Sequence, residues 1–244
     1  MRFFVGLHQP SDAYRFERAF VSVNRLKTRK SAFKVRDWIM DSGAFTTILK
    51  HGGYTDEPSV YAEQIKRFAK CGNMLAAVAQ DYMCEPAMLA RTGLTIADHQ
   101  RLTIERYDAL MSCDVGGAYI MPVLQGYQPA DYVEHIRQYG ARLAPGAWTG
   151  VGSVCKRNAS PAAVEAVLKA IKRERPDLRL HGFGLKRSAL AWPSIHDLLH
   201  SADSMAWSFA ARRNGRSSND WQEAAAFVHQ IETRAGLGQL RFDL

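Results

Sequence analysis

The chain has 244 residues, of which 47% are hydrophobic and 23% are charged, so it can bury a sizeable core and is not expected to be disordered. No apolar run approaches the ~18 residues needed to cross a bilayer or resembles the apolar part of a signal peptide, and we expect a cytoplasmic protein. The four cysteines form no C-x-x-C pair, which argues against a zinc knuckle or a disulfide framework.

Short apolar segments alternate with helical patterns along the chain, as in parallel β/α folds. The predicted strands, in chain order, are Phe3–Leu7, Phe20–Val23, Trp38–Met40, Leu75–Ala79, Tyr119–Leu124, Trp148–Val151, Leu178–Phe183 and Ser204–Phe209. Eight strands in a chain of 244 residues favour a (β/α)8 barrel of the TIM type over an open doubly wound sheet. Because no repeat or long linker divides the chain, we predict a single domain over residues 1–244.

Several of the intervening segments have helical periodicity and recognisable ends. Ser160 and Pro161 are typical of an N-cap and a first helical turn, and an apolar stripe follows at Val164, Val167, Leu168 and Ile171. Further helices are predicted over Pro129–Tyr139, with Gly140 as the stop, and over Ile96–Met111 and Trp221–Thr233.

Polar residues next to the predicted strands are the candidates for a functional site, because active sites of such barrels lie at the carboxyl ends of the strands. They are His8, Gln9, Asn24, Asp41, Ser42, Gly43, Gln80, Asp81, Gln125, Gly126, Gly152, Ser153, Gly184–Lys186 and, at the start of the last segment, Asp203. Carboxylates gathered on one rim are costly unless they bind a polar ligand, and their mutual repulsion raises at least one pKa.

The residue types at this rim suit the edge of an aromatic heterocycle attached to a sugar. Asp and Gln pair donors and acceptors in the plane of a base, and glycine backbone lets the ring approach closely. A further Asp facing the sugar can attack its anomeric carbon, as in retaining glycosidases. The alternative is that the aspartates cap helices or coordinate a metal.

Basic residues suggest a polyanionic partner, because the net charge is +8 and clustered Lys and Arg gain affinity by releasing counterions from phosphates. The predicted nucleic-acid contacts are Lys156, Arg157, Lys186, Arg187, Arg212 and Arg213. For the helical run Lys169, Lys172, Arg173 and Arg175, we favour a solvated face.

The motifs recur in an order that resembles a known superfamily. They are Gly6-Leu7-His8-Gln9-Pro10, Asp41-Ser42-Gly43-Ala44-Phe45, Gln80-Asp81, Val123-Leu124-Gln125-Gly126, Gly150-Val151-Gly152-Ser153-Val154-Cys155-Lys156-Arg157, His181-Gly182-Phe183-Gly184 and Asp203-Ser204. In this order they resemble the tRNA-guanine transglycosylase superfamily, and more closely its DNA-directed branch of deazapurine DNA-modification proteins. That resemblance also implies a (β/α)8 barrel.

The resemblance implies a role for each matching residue. Asp203 is similar to the nucleophile that forms a covalent glycosyl-enzyme, and Asp41 to the aspartate that assists proton transfer near the base. Asp81 and Gln125 are similar to residues that read the base edge, and Gly152 to the backbone contact to the base. The neighbouring Ser42, Gly126 and Ser153 complete the predicted base-binding set.

The chain also departs from the RNA-modifying enzymes of that superfamily. These carry a C-terminal zinc module with several cysteines, whereas here no cysteine follows Cys155. We therefore predict no zinc module, no metal and no cofactor, and expect DNA rather than tRNA as the substrate. The segment Ser153 to Arg157 leaves the identity of the base open and suits a polar or bulky adduct on it.

The predicted reaction starts with a nucleotide that is single-stranded or flipped into the barrel mouth, where Asp203 attacks the anomeric carbon. Water would then leave an abasic site, whereas an incoming base would complete an exchange. Because an exchanger must accept two bases in one pocket, the compact chain favours excision of a modified base, which suits defence against phage with modified DNA. Exchange for a 7-deazaguanine derivative remains an alternative, as do a non-catalytic nucleic-acid-binding barrel and a small-metabolite enzyme.

Overall fold

The computed structural model describes residues 1–155 and 160–239, and its strands are all parallel. The strands are β1 (Arg2–Leu7), β2 (Arg18–Ser22), β3 (Asp37–Asp41), β4 (Asn73–Val78), β5 (Ile120–Met121), β6 (Val123–Leu124), β7 (Trp148–Val151), β8 (Arg179–Gly182) and β9 (Ser201–Ser204). Their order in the sheet is β5-β4-β3-β2-β1-β9-β8-β7-β6.

The two strands at the ends of this order, β5 and β6, are consecutive in the chain and separated only by Pro122. β5 pairs with β4, and β6 pairs with β7. The Pro122 carbonyl between them accepts a hydrogen bond from Gly150 N at 2.8 Å. The sheet therefore forms a nearly closed barrel with eight strand positions. The predicted TIM-type barrel is confirmed, with the predicted fifth strand split in two.

Ten α-helices are found in the described part of the chain, and most lie between the strands. They are α1 (Ala44–His51), α2 (Pro58–Phe68), α3 (Pro86–Thr92), α4 (Ile96–Met111), α5 (Pro129–Tyr139), α6 (Pro161–Glu174), α7 (Arg187–Leu190), α8 (Pro193–Leu198), α9 (Ala206–Arg213) and α10 (Trp221–Gln239). The predicted limits of α4 and α5 are confirmed, and α10 continues beyond its predicted end. None of the helices in the described residues is long and apolar enough to span a membrane.

Side chains alternate between two cores because successive residues of a strand point to opposite faces of the sheet. In β1, Phe3, Val5 and Leu7 face the helices, whereas Phe4 fills the barrel interior. The interior layer is made of Phe4, Phe20, Ile39, Ala76, Val78, Met121, Val123 and Trp148. This packed layer closes the barrel below its carboxyl rim.

The last predicted strand, Ser204–Phe209, is wrong. The strand is β9, Ser201–Ser204, and the residues after Met205 form helix α9, which buries Trp207, Ser208 and Ala211. The segment Ser-Ala-Asp-Ser has no apolar run to mark it, yet it pairs with both β1 and β8. Asp203 therefore lies near the carboxyl end of a strand rather than at the start of one.

Candidate active site

A cavity of about 330 Å³ opens at the carboxyl end of the barrel, and we call it the aspartate cavity. It is lined by Phe20, Ser22, Asp41, Ala44, Phe45, Val78, Asp81, Met83, Glu85, Gln125, Gly152, Ser153, Cys155, Phe183, Gly184, Asp203 and Met205. Parallel strands bring their carboxyl ends to one rim, so residues far apart in the chain meet here. Asp41 ends β3, Gln125 follows β6 directly, and Asp203 lies in β9.

Asp203 is held through one of its two carboxylate oxygens. Its Oδ1 accepts hydrogen bonds from Gly184 N at 3.1 Å and from His181 Nε2 at 3.2 Å. Gly184 has a φ of 61°, a left-handed conformation that favours glycine and that aims its N–H at Asp203. Among the described residues, none donates a hydrogen bond to Oδ2, so that oxygen keeps its lone pairs for another atom.

A chain of buried polar groups orients His181. Trp148 Nε1 donates to Ser201 Oγ at 2.8 Å, and the same Oγ lies 2.8 Å from His181 Nδ1. With Asp203 ionised, His181 Nε2 must carry the hydrogen of their bond, and in a neutral ring Nδ1 then accepts the Ser201 hydroxyl hydrogen. The ring of His181 is fully buried and stacks on Phe20, with centroids 5.8 Å apart. Ring orientation and proton position are thus set together.

The carboxyl groups of Asp41 and Asp81 behave differently from ordinary surface aspartates. Burial raises the pKa of Asp41 to about 6, and the charge of Asp203 adds to this, whereas hydrogen bonds from Ser22 and Gly43 oppose it. Burial likewise raises the pKa of Asp81 to about 7, with contributions from Asp41 and Glu85. No lysine or arginine of the described residues lines this cavity. Near neutral pH, protonated carboxyl groups are therefore available.

Asp81 belongs to a hydrogen-bonded network on one wall of the cavity. Gln125 Nε2 donates to Asp81 Oδ2, and Ser153 Oγ donates to Gln125 Oε1 at 2.8 Å. Ser153 in turn accepts from Cys84 N at 2.9 Å. These bonds fix which end of the Gln125 amide faces Asp81, as a reader of a flat base edge requires. Ser153 adopts a left-handed φ of 56°, a strain of about 1–3 kcal/mol for a non-glycine residue that this network holds in place.

The backbone of Gln125 is fixed from behind by His135. Gln125 N donates to His135 Nδ1 at 2.8 Å, and Nε2 of the same ring lies 3.2 Å from the Gln100 carbonyl oxygen. Burial lowers the pKa of His135 to about 3, so the ring is neutral and Nδ1 is an acceptor. His135 therefore supports the strand end that carries Gln125.

Three of the predicted base-binding residues behave differently from one another. Gly152 lines the aspartate cavity, and a Cβ there would lie 2.1 Å from Gln125 Nε2, so the glycine makes room for the glutamine. Gly126 does not line it, because its Cβ position faces Asp131 and Tyr132 of α5. Ser42 is buried and lines a neighbouring cavity instead. Of these three, only Gly152 lines the aspartate cavity.

The predicted nucleic-acid contacts lie partly on segments that follow β8 and β9. Lys186, Arg187, Arg212 and Arg213 are all exposed. Arg187 Nη1 donates to Gln230 Oε1 at 2.6 Å, whereas Arg212 lines a second cavity. Lys156 and Arg157 lie outside the described residues.

The sequence did not assign roles to His181, Ser201 or Glu85. His181 and Ser201 are single polar residues on the inward face of short buried strands, a signal that strand alternation supplies once the strands are known. Glu85 is buried and lines the cavity, and its Oε2 has no hydrogen-bond partner in the described part of the chain. The described residues contain no group of three or more His, Cys, Asp or Glu arranged to hold a metal ion.

Comparison with known families gives this site its biological setting. A family model, DpdA (DeoxyPurine in DNA protein A), matches residues 1–225. The chain belongs to the DpdA family. No curated protein matches it. Membership of the DpdA family implies an enzyme that acts on the bases of DNA in deazapurine modification, and the predicted DNA-modification branch is confirmed. The wider relation to tRNA-guanine transglycosylases stays a prediction.

Replacing Asp81 by Asn tests the electrostatics of the cavity without a substrate. The folded state holds a proton on Asp81 up to about pH 7, whereas the unfolded chain releases it near pH 3.8, so rising pH destabilises the wild type through this group. We expect the free energy of unfolding of the wild type to fall relative to Asp81→Asn between these two values and to level off above. Urea unfolding across this range measures it, and a constant difference between the proteins would show that Asp81 is not perturbed.

Replacing Ser201 by Ala tests the group that orients His181. The change removes the hydroxyl that links Trp148 to His181, so the ring can turn and Asp203 loses one donor. We expect turnover of the DNA substrate to fall on the order of a hundredfold at little change in KM, as for a misplaced reacting group. Ser201→Thr, which keeps the hydroxyl, should retain more activity. A parallel rise in KM would instead indicate a disturbed cavity.

Proposed function

We propose that this protein exchanges a purine base in DNA for a 7-deazapurine through a covalent glycosyl intermediate on Asp203. The observation that carries the proposal is the state of the Asp203 carboxylate: two donors stabilise Oδ1, and no described residue donates to Oδ2. A carboxylate fixed in this way is a suitable nucleophile for an anomeric carbon. The sequence favoured excision, but membership of a family named for a deoxypurine in DNA supports exchange.

The first half of the reaction breaks the bond between the old base and its sugar. Asp203 Oδ2 attacks C1′ of the flipped nucleotide, and the bonding electron pair leaves with the base nitrogen. Asp41, whose pKa is raised to about 6, delivers its proton to the leaving base or to an atom in contact with it. The products are a neutral base, an ester between Asp203 and the sugar, and an ionised Asp41.

The second half reverses these steps with a different base. The ring nitrogen of the incoming 7-deazapurine attacks C1′, its proton passes to Asp41, and Asp203 leaves as a carboxylate. Two displacements restore the original configuration at C1′. In both halves, Asp81, Gln125, Gly152 and Ser153 bind the base edge, and Glu85 offers one more acceptor to a donor on the base.

Contacts to the DNA outside the cavity come from the basic residues of the same rim. Lys186, Arg187, Arg212 and Arg213 are exposed on the segments that follow β8 and β9, where a strand entering the aspartate cavity would pass. Exposed Phe45, at the cavity wall, offers a flat surface for a base.

Replacing Asp203 by Ala tests the covalent step directly. Oligonucleotides containing natural or modified purines are incubated with a labelled 7-deazapurine base, and label in DNA and abasic sites are both measured. We expect the wild type to incorporate label and to form a protein–DNA adduct of defined mass, and Asp203→Ala to do neither while still binding DNA. Asp197→Ala, which removes an exposed carboxylate on α8, serves as the matched control and should behave as the wild type.

The outcomes separate the competing functions. Abasic sites without incorporated label would make the enzyme a glycosylase, the activity suited to attack on modified DNA. DNA binding with neither product, in every base context tried, would favour a non-catalytic barrel. Activity that survives in Asp203→Ala would remove Asp203 from the mechanism.

The pH dependence of base release tests the role of Asp41. Because the acid must carry its proton, the rate of the first half-reaction should fall as pH rises above about 6. The hydrogen bond from Ser22 lowers the pKa of Asp41, so Ser22→Ala should move this limb to higher pH. Single-turnover rates measured across the limb check the shift. An unchanged limb in Ser22→Ala would assign the titration to another group.

A further inference from the structure

A second cavity of about 380 Å³ adjoins the aspartate cavity, and we call it the arginine cavity. It is lined by His8, Arg25, Met205, Ser208, Phe209, Arg212, Ser218 and Asn219. Met205 lines both cavities and follows β9 directly, two residues after Asp203. Its side chain packs closely against Gly6, where a Cβ would lie 2.1 Å from Met205 Cγ. The two cavities are thus separated by a fixed side chain.

The charges of the arginine cavity are opposite to those of its neighbour. Arg25 and Arg212 line it together with neutral side chains, and no carboxylate does. Within the described residues, neither arginine forms a salt bridge, whereas Arg142 is paired with Asp108 and Arg175 with Asp177. Two uncompensated guanidinium groups facing one concave surface attract an anion, and phosphate oxygens suit their geometry.

Hydrogen bonds order the polar wall of this cavity. Arg25 Nη2 donates to His8 Nδ1 at 2.9 Å, so the hydrogen of the neutral His8 ring is on Nε2, which donates to Ser208 Oγ at 2.8 Å. Ser208 then keeps its own hydroxyl hydrogen for a ligand. Burial lowers the pKa of His8, and the charges of Arg25 and Arg212 lower it further, which is consistent with a neutral ring.

We propose that the arginine cavity binds a backbone phosphate of DNA next to the nucleotide whose base occupies the aspartate cavity. The proposal rests on the proposed function, because it requires a DNA sugar in front of Asp203. A phosphate diester flanks that sugar on each side, and the cavity beyond Met205 is a neighbouring concave surface lined by two arginines and no carboxylate. Phe209, which is 57% exposed, lines the same cavity, and the Arg212 guanidinium lies over its ring, 5.6 Å from the centroid.

This contact gives the enzyme a reason to act on polymeric DNA. A free base or a nucleoside lacks the phosphate and would leave both arginines unneutralised. A bound phosphate, by contrast, fixes the sugar relative to Asp203, because Asp203 and Arg212 lie within one short segment from β9 through α9. Part of the binding free energy is then used to orient the anomeric carbon.

Replacing single phosphates by neutral methylphosphonates tests the contact. A series of single-stranded oligonucleotides carries one methylphosphonate each, at successive linkages around the target purine. We expect wild-type binding and kcat/KM to fall most for one linkage adjacent to the target. For Arg25→Ala and Arg212→Ala, the same substitution should cause little further loss, because the partner is already absent. The slope of log affinity against log salt should fall by about 0.7 for each arginine.

Arg173→Ala is the matched control, since it removes one exposed arginine from the last turn of α6, at the opposite end of the barrel. It should keep the wild-type sensitivity to every methylphosphonate. Ser208→Ala provides a second variant in the cavity. It should weaken the contact to the phosphate at the same linkage without changing the net charge. Thermal unfolding of all variants verifies the fold.

The proposal fails if each methylphosphonate has the same effect in the wild type and in both arginine variants. It also fails if one linkage is most sensitive in the wild type and in Arg173→Ala, and that linkage is equally sensitive in Arg25→Ala and Arg212→Ala. Because binding is measured separately from turnover, a selective phosphate contact without any base exchange would overturn the proposed reaction while keeping the contact. Base exchange without a selective phosphate contact would keep the proposed reaction and overturn the contact.

Discussion

The site depends on one constraint: several carboxyl groups are enclosed in one cavity. No lysine or arginine of the described residues lies among them. Asp41, Asp81, Glu85 and Asp203 all line this cavity, and their repulsion together with burial holds protons on some of them. Asp203 accepts hydrogen bonds from His181 and Gly184 through Oδ1 alone. In the proposed reaction, Asp203 is the nucleophile and Asp41 is the acid, a division of roles between carboxyl groups in different local environments.

Glycines in the strands and at strand ends make room for this site. A Cβ at Gly150 would lie 2.4 Å from the Phe183 ring, and one at Gly152 would lie 2.1 Å from the Gln125 amide. Glycine weakens a strand, yet here the barrel accommodates the large or polar side chains that line the cavity. Phe183 also contacts His181, with ring centroids 4.8 Å apart. The glycine of one strand therefore helps to place the residue that orients Asp203 from another.

Part of the site could be predicted because the strand ends are visible in the sequence. Asp41, Asp81 and Gln125 follow apolar runs, and the parallel barrel brings such ends together. The polar strand β9 has no such run, so the sequence places Asp203 at the start of the last predicted strand, and its role comes from the resemblance. Gly126 also follows a strand, but its Cβ position faces α5 and not the cavity. Sequence spacing does not reveal which way a residue after a strand faces.

Contacts between distant segments were the hardest to predict. Arg25 and Arg212 line one cavity although Arg25 lies just after β2 and Arg212 lies in α9. That neither has a carboxylate partner among the described residues is visible only in three dimensions. The same holds for Trp148, Ser201 and His181, because the register between β7, β8 and β9 brings these three residues next to one another. Local pattern identifies residues that end a strand, whereas these groups depend on strand register.

In the proposed reaction, the segment from Asp203 to Arg212 links the chemistry at the base to the recognition of the DNA backbone. It contains the proposed nucleophile, the side chain of Met205 that separates the two cavities, and Ser208 and Arg212 of the arginine cavity. The N–H of Ser208 donates to the carbonyl of Met205 at 3.1 Å, so the first turn of α9 begins directly after β9. Under the proposed function, this short connection sets the spacing between the anomeric carbon and its flanking phosphate. A shift of α9 would therefore change reactivity and DNA affinity together, even though no residue of the base-binding wall had moved.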